Sequence, residues 1–326
     1  MIEQNIKSKV VGVDISNELT TYAIVDVRGN ILAEESFPTT DYLDVNNFVS
    51  ALSEKIVMLV EANGGYERIR SIGLSSPSAS SVSGCIENAA NLPWKGVIPM
   101  AAMLRDRLGL AVALSNDAHV SALGEYTFGC AHGMRNFIII SLGVGLGSCF
   151  FTEGEDHKGH LGYAGEFGHT CVVDGGRECG CGHKGCLEAY AGAVGIVRTA
   201  KEMLAESDAP SLMRDLEHLS PRTINECCEQ GDQLAQEVFR RTGYMLGLGL
   251  ANYASIIDPE AVILTGGISH AGKWLYDPVV ESFENHVFGN MRGKVKILIS
   301  PLNNRERDVL GASVLAWSVP EYSLFK

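Results

Sequence analysis

Three cysteines and one histidine lie close together in a short, glycine-rich stretch of the sequence. Their spacing is His169-x9-Cys179-x-Cys181-x4-Cys186. Zinc binds best to four soft or borderline ligands in a tetrahedron, and thiolates together with one imidazole provide them. Because these four side chains would fill every coordination position, the pattern predicts a structural zinc site rather than a catalytic one.

Other cysteines and histidines leave alternatives open. Cys171 and His183 lie in the same stretch and carry the same donor atoms, so either could replace one of the four ligands. Thiols that pack in a core as small apolar groups are the other interpretation of such residues. We prefer that interpretation for Cys227 and Cys228, which lie on a predicted helix.

One carboxylate is placed at the junction of a predicted strand and a predicted helix. Asp117 occurs in the sequence Ser115-Asn116-Asp117-Ala118. A carboxylate within hydrogen-bond reach of a hydroxyl group can accept its proton and act as a general base. An aspartate just before a helix can instead cap the first backbone N–H groups. Taken alone, the position favours the cap.

A glycine-rich segment, residues 141–148 (SLGVGLGS), follows another predicted strand. Glycines let backbone N–H groups approach phosphate oxygens closely, and a turn of such amides binds anions. Hairpins also use glycine for its conformational freedom. The segment is therefore a candidate phosphate loop whose assignment depends on its surroundings.

Strands and helices alternate along the chain, which predicts an α/β fold that could position these groups. The first half shows strands at 10–14, 21–27, 69–74 and 110–114, with helices at 44–60 and 99–108. The second half shows strands at 136–142, 147–151, 261–264 and 295–299, helices between 189 and 253, and a last helix at 308–317. Each half opens with strand, turn, strand, so the sequence predicts a duplicated architecture.

Composition excludes several classes of protein. The chain has 326 residues, 46% of them hydrophobic, and a formal charge of -13, which argues against a broad basic surface for nucleic acid. No segment has the roughly 20 consecutive apolar residues of a membrane helix, and the first residues do not form a signal peptide. We therefore expect a cytoplasmic protein with reduced thiols, two domains, and no direct contact with membranes or nucleic acid.

With these residues in place, the chain resembles the ROK family of bacterial glucokinase-like sugar kinases and sugar-responsive repressors. The resemblance runs from about residue 10 to residue 316, and its most specific block is Gly-Glu-Phe-Gly-His at 165–169 followed by Cys-Gly-Cys-Gly-His-Lys-Gly-Cys-Leu-Glu at 179–188. It implies a two-domain actin-like or hexokinase-like fold, related to ribonuclease H, with a cleft between the domains. The implied domains are 1–116, on which a C-terminal helix at about 308–326 packs back, and a larger one at 117–307 that carries the zinc loop.

The resemblance also implies roles for individual residues. Asp117 matches the general base that activates a sugar hydroxyl. The residues that match sugar ligands are Asn91, Asn116, Asp117, Glu166, His169 and Glu188. The residues that match the ATP site, where Mg²⁺ accompanies the nucleotide, are Asp14, Gly143, Gly145, Gly147, Gly266 and Gly267. His169 would use one ring nitrogen for zinc and the other for the sugar.

Two departures from the family pattern bear on turnover and on sugar choice. Relatives have Asp-x-Gly-Gly-Thr-Lys at the first phosphate loop, whereas this chain has Asp14-Ile-Ser-Asn-Glu-Leu19. Asn17 could adopt a positive φ there, but the carboxylate of Glu18 would oppose phosphate. Relatives also have Ser-Pro-Gly-Pro where this chain has Ser78 after Ser76-Pro77.

Two functions from different classes follow. The first is an ATP-dependent kinase for a hexose or amino-hexose hydroxyl, and the alternative is a sugar sensor with little or no activity. Repressors of the family carry a DNA-binding segment ahead of the first strand, for which we expect no room in about nine residues. The resemblance also implies a homodimer or higher homo-oligomer. It does not identify the sugar, the phosphorylated hydroxyl or a regulatory partner.

Overall fold

The structure of the protein is a computed structural model that describes residues 7–89, 91–160 and 163–319. The chain divides into two compact units, one formed by residues 1–132 and 301–326 and the other by residues 133–300. Each unit contains a five-stranded sheet.

The strands of the first unit are β1 (Lys9–Ile15), β2 (Leu19–Asp26), β3 (Ile31–Pro38), β4 (Ile69–Ser76), β5 (Ala79–Ser80), β6 (Cys85–Glu87), β7 (Val97–Ile98) and β8 (Ala111–Asn116). Those of the second unit are β9 (Phe137–Leu142), β10 (Leu146–Thr152), β11 (Glu155–Asp156), β12 (Ala261–Thr265) and β13 (Lys296–Ile299). The helices are α1 (Val45–Ala62), α2 (Met100–Leu108), α3 (Asp117–Phe128), α4 (Glu188–Ala191), α5 (Ala193–Glu206), α6 (Pro221–Glu229), α7 (Gln233–Ile257), α8 (Lys273–His286) and α9 (Asn304–Ser318).

The two main sheets have the same topology. The strand order is β3-β2-β1-β4-β8 in the first unit and β11-β10-β9-β12-β13 in the second. In each sheet the opening strand is central, pairs antiparallel with the next strand of its hairpin, and pairs parallel with a later strand on its other side. The duplicated α/β architecture predicted from the sequence is therefore confirmed.

The sheet of the first unit is covered on both faces. Val11, Val13 and Ile15 of β1 are fully buried in one core with α1. On the other face, a Cβ added at Gly12 would lie 2.4 Å from the Val309 carbonyl oxygen, and one added at Gly73 would lie 1.9 Å from the Ala312 carbonyl oxygen. Both glycines are required because α9 lies directly on the sheet.

Helix α9 also determines where the first unit ends. The boundary expected from the sequence lies after residue 116, whereas in the structure the division falls after His132, because α3 packs against α9. Helix α9 contacts β1 and β4 of the same unit. The final helix was expected over residues 308–326; it begins at Asn304 and ends at Ser318, and residues 320–326 lie outside the described part of the chain.

The core of the second unit lies between its sheet and helices α5 to α8. Helices α7 and α8 approach each other closely because α7 has glycines at the contact. A Cβ added at Gly243 would lie 2.6 Å from Pro278 Cβ, and one added at Gly247 would lie 2.5 Å from the Val279 carbonyl oxygen. Within the described ranges, no helix has the length and apolar character needed to cross a membrane.

Candidate functional site

The four predicted metal ligands come together in the second unit. The distance from His169 Nδ1 to Cys179 Sγ is 3.7 Å, and the distance between the Sγ atoms of Cys181 and Cys186 is 3.6 Å. One ligand atom from each of the four residues lies within 4.8 Å of the others. Tetrahedral Zn–S bonds of about 2.3 Å place ligand atoms about 3.7 to 3.8 Å apart. The arrangement therefore fits zinc in both donor type and spacing.

Short backbone hydrogen bonds shape the loop that carries the cysteines. The N–H of Cys179 donates to the His183 carbonyl (2.9 Å), and the N–H of Gly182 donates to the Cys179 carbonyl (3.0 Å). A hydrogen bond from the His183 backbone N–H lowers the pKa of Cys181 to about 6, which favours the thiolate that a metal needs. Cys171, one of the two substitutes considered, lies outside the group of four ligand atoms.

Arg177 anchors the same loop to the helices beside it. Its guanidinium donates to the carbonyl oxygens of Ala189 (3.2 Å) and Gly195 (3.1 Å) and forms an ion pair with Glu202 at 2.5 Å. The side chain of Arg177 is only 12% exposed. The loop is thus fixed at its start by Arg177.

The block at residues 165–169 is held over β10. Ser148 Oγ donates to the Gly165 carbonyl (2.5 Å) and accepts from the N–H of Phe167 (3.1 Å). His169 Nε2 then lies 4.0 Å from Glu166 Oε2, on the side away from Cys179. The side chains of His169 and Glu166 are 35% and 54% exposed, so both are accessible to a ligand.

The glycine-rich segment forms the turn between β9 and β10 and the first residues of β10, which together we call the glycine hairpin (residues 143–147). The N–H of Gly143 donates to the Gly145 carbonyl (3.0 Å), and Gly147 pairs with Ser141 inside the ladder. Glu188 Oε2 accepts from the Leu146 N–H at 2.8 Å. Sequence reasoning assigned Glu188 only to the sugar and missed this contact, since the two residues are far apart in sequence.

The second predicted nucleotide loop follows β12. Gly266 has a φ of 87°, and a Cβ added there would lie 2.3 Å from the Leu142 carbonyl oxygen. Ser269 Oγ donates to the Gly266 carbonyl at 2.7 Å. Because β12 pairs with β9, Gly266 lies beside the end of the strand that leads into the glycine hairpin.

In the first unit, Asn116 and Asp117 occupy the junction of β8 and α3. Asn116 is the N-cap of α3, since its Oδ1 accepts from the Ala118 N–H at 2.9 Å. Asp117 is the first helical residue rather than the cap, and its side chain is exposed. The N-cap is therefore Asn116, and Asp117 Oδ1 accepts from the same Ala118 N–H at 2.9 Å.

Asn91 lies on an exposed turn before β7. Lys95 Nζ donates to the carbonyl oxygens of Ala89 (3.1 Å) and Leu92 (3.2 Å), on either side of Asn91. Trp94 is buried against Phe48, with ring centroids 4.4 Å apart. The Asn-Leu-Pro-Trp turn is thus anchored by a buried ring and a lysine.

Asp14 lies next to Ser75 in the sheet. Desolvation raises the pKa of Asp14 to about 8, and repulsion from the Asp308 carboxylate adds to the rise. The guanidinium of Arg307, which is 2% exposed, donates to Asp308 Oδ1. Sequence reasoning missed Arg307 and Asp308, although an Arg-Asp pair early in a helix that faces the sheet was the available signal.

The segment expected to form the first phosphate loop is a closed turn. Ser16 Oγ donates to the Leu19 carbonyl at 2.7 Å and accepts from the Leu19 N–H at 3.2 Å. Asn17 does not adopt the positive φ that its residue type would tolerate, and the side chain of Ser16 closes the turn without it. Asn17 and Glu18 are exposed at the tip.

Ser78 adopts the conformation that the glycine of relatives would favour. Its φ is 55°, in the left-handed region, and its carbonyl accepts from the Glu87 N–H at 2.9 Å. A residue with a Cβ pays about 1 to 2 kcal/mol for this conformation. The serine therefore holds this turn at a cost in strain.

Two α/β units of one repeated topology, with a glycine hairpin in the second unit and a carboxylate at the end of the first sheet, define a two-domain actin-like fold of the hexokinase type. The model of the ROK family matches residues 10–319, and the chain belongs to this family.

Three relatives illustrate the similarity. The glucokinase of Streptomyces coelicolor is 34% identical over 315 residues, covering 94% of this chain and 96% of the relative. The crystal structure of a ROK family glucokinase from Streptomyces griseus in complex with glucose and AMPPNP is 30% identical, with a TM-score of 0.78 over 95% of this chain and 100% of that one. The ROK hexokinase from Thermus thermophilus is 26% identical, with a TM-score of 0.82 over 95% of this chain and 98% of that one.

Proposed function

We propose that the protein is an ATP-dependent kinase that phosphorylates a hydroxyl group of a hexose or amino-hexose. The observation that carries the proposal is the similarity along nearly the whole chain to the Streptomyces coelicolor glucokinase and to the Streptomyces griseus enzyme solved with glucose and AMPPNP. The glycine hairpin and the turn at Gly266 lie at adjacent strands of one sheet, as a nucleotide site on the second unit requires.

In this mechanism Asp117 acts as the general base. Its carboxylate accepts the proton of the sugar hydroxyl as the oxygen forms a bond to the γ-phosphorus and the bond to the β–γ bridging oxygen breaks, which releases ADP. An exposed carboxylate at the N-terminus of α3 is accessible for this role. Mg²⁺ would neutralise phosphate charge in such a reaction, and Asp14 keeps its proposed place at the nucleotide.

The remaining predicted residues keep their proposed roles. The amide and carboxylate groups of Asn91, Asn116, Glu166 and Glu188, with His169, would hydrogen-bond the sugar hydroxyls. Backbone N–H groups around Gly143, Gly145 and Gly147 would contact phosphate, and Gly266 and Gly267 would leave room for the nucleoside. A Cβ added at Gly143 or Gly267 would meet no described atom within 4 Å, so both turns are open.

We also propose that His169, Cys179, Cys181 and Cys186 bind one structural zinc ion. The fit of donor types and spacing supports this assignment. Zinc on His169 Nδ1 would fix the tautomer that leaves Nε2, the nitrogen facing Glu166, for the sugar. Self-association into a homodimer stays a prediction, which sedimentation velocity measures directly.

A sugar sensor with little activity is the second candidate. The observation that favours it is the closed turn at Ser16, which lacks the glycines of active relatives and carries the Glu18 carboxylate at its tip. Such a charge opposes ATP phosphates. Sugar binding alone would still use Asp117 as a hydrogen-bond acceptor.

The deciding experiment measures ADP release from MgATP with a panel of hexoses and N-acetylhexosamines, beside calorimetric binding of each ligand. Asp117→Asn tests the base, and Asp106→Asn, on an exposed carboxylate of α2, is the matched control. The kinase proposal is supported if wild type and Asp106→Asn turn over one sugar and Asp117→Asn does not. Sugar binding without nucleotide binding or turnover contradicts it and supports the sensor.

A further inference from the structure

Glu188 contacts two parts of the second unit that the proposed function treats separately. Its Oε2 accepts from the N–H of Leu146 in the glycine hairpin at 2.8 Å. Its Oε1 lies 3.6 Å from Cys179 Sγ in the cysteine cluster. A single carboxylate therefore joins the proposed nucleotide site to the proposed metal site.

The glycine hairpin is shaped around this carboxylate. A Cβ added at Gly145 would lie 2.4 Å from Glu188 Oε2, so a side chain at this position would displace the carboxylate from the turn. The N–H of Ala193, at the start of α5, donates to the Gly143 carbonyl at 3.0 Å. The hairpin is thus held from the segment formed by α4 and the start of α5.

The same segment begins at a metal ligand. Cys186 is fully buried and lies two residues before Glu188, and its carbonyl accepts from the Ala189 N–H at 3.0 Å. The N–H of Leu187 donates to the Thr170 carbonyl at 3.0 Å, next to His169. A metal bound to Cys186 and His169 would therefore fix the one-turn helix from which Glu188 extends.

We propose that Glu188 is a positioning residue through which the metal-bound cysteine loop holds the glycine hairpin in the shape that binds nucleotide phosphates. The physical reason is that Gly143 and Gly145 contribute no side chains, so the turn depends on the few contacts it receives from outside. Losing the metal would release Cys186, move α4, and remove the acceptor from Leu146. This inference rests on the proposed function for its nucleotide consequence but not for its structural one.

The test uses the full chain with zinc bound and three variants. Glu188→Ala removes the acceptor, Glu188→Gln keeps a carbonyl oxygen for the Leu146 N–H, and Glu178→Gln is the control, because Glu178 belongs to the same loop and is 82% exposed. Hydrogen exchange of the peptide that covers residues 143–148 is measured for each protein, with the buried strand β12 as internal reference. Zinc-bound wild type treated with a chelator is measured in the same way.

We expect hydrogen exchange in the hairpin peptide to rise at least about tenfold in Glu188→Ala and in the chelated protein, while exchange in β12 stays unchanged. In Glu188→Gln and Glu178→Gln we expect exchange in the hairpin peptide to stay near the wild-type rate. AMPPNP with Mg²⁺ should bind about tenfold more weakly to Glu188→Ala and to the chelated protein. The inference would be overturned if the hairpin peptide of Glu188→Ala or of the chelated protein exchanged at the wild-type rate. An equal rise of exchange in β12 would overturn it as well. If wild type binds no AMPPNP, the kinase proposal fails, while the exchange measurement still decides this inference.

Discussion

Replacing one ligand of the cysteine cluster tests the proposed zinc site most directly, and Cys181→Ala is the best choice because Cys181 is exposed and leaves no core cavity. Zinc that joins His169 to Cys186 closes a loop of 18 residues. By the chain-entropy relation for a cross-link, a loop of that length contributes roughly 3 kcal/mol. For a unit of this size, that free energy corresponds to a fall of about 6 to 12 °C in the melting temperature of the second unit.

The assay combines zinc content of the purified protein with calorimetric melting. Cys171→Ala is the matched control, since Cys171 is an exposed thiol of the same loop that lies outside the group of four ligand atoms. We expect Cys181→Ala to lose zinc and stability while Cys171→Ala keeps both. Stoichiometric zinc in Cys181→Ala, or an equal loss of zinc in Cys171→Ala, would show that the ligands are misassigned.

Further predictions concern the first unit. Asp117→Asn should lower kcat by orders of magnitude and change the sugar Kd only modestly, and equal turnover in steady-state assays would remove Asp117 from the chemistry. Ser78→Gly should raise the free energy of unfolding by up to about 1 kcal/mol, because strain at φ 55° is relieved while the unfolded chain gains entropy; a loss of stability in denaturant titrations contradicts this. Replacing Asn17-Glu18 by Gly-Thr should lower the KM for ATP without changing the KM for sugar, and an unchanged KM for ATP would show that Glu18 does not oppose the nucleotide. Because the pKa of Asp14 is raised, the folded state binds a proton on this carboxyl more tightly than the unfolded chain does. The stability that this proton contributes is fully present below the ordinary pKa near 4 and is lost as pH rises through about 8. Asp14→Asn should flatten the dependence of stability on pH between those two pKa values. An unaltered pH dependence in thermal melts would show that Asp14 is not its cause.

The sequence predicted well what depends on local pattern. The strands, the hairpin that opens each half, and the helix that ends at Gly109, where φ is 64°, all follow from hydrophobic period and turn residues. The grouping of His169 with the three cysteines also followed from donor type and close spacing.

What the sequence could not give are contacts between residues distant in the chain. The hydrogen bond from Leu146 to Glu188 and the approach of Asp308 to Asp14 depend on how strands and helices pack, which no local period encodes. At Asn17 the sequence reasoning considered only the tolerance of asparagine for a positive φ. In the structure the Ser16 side chain closes the turn through hydrogen bonds to the backbone of Leu19. The first unit also extends to His132 rather than to the expected residue 116, because the packing of α3 on α9 is a contact between distant segments.

The position of α9 on the first sheet has a consequence for biosynthesis. The ribosome makes the chain from its N-terminus, so all of residues 133–300 emerge before α9 does. The second unit is continuous and can complete its core during synthesis. The first unit must wait, with the glycine-lined face of β1 and β4 uncovered, until α9 arrives. During that interval the nascent chain exposes an unfinished sheet face, the kind of surface that makes folding intermediates prone to aggregation.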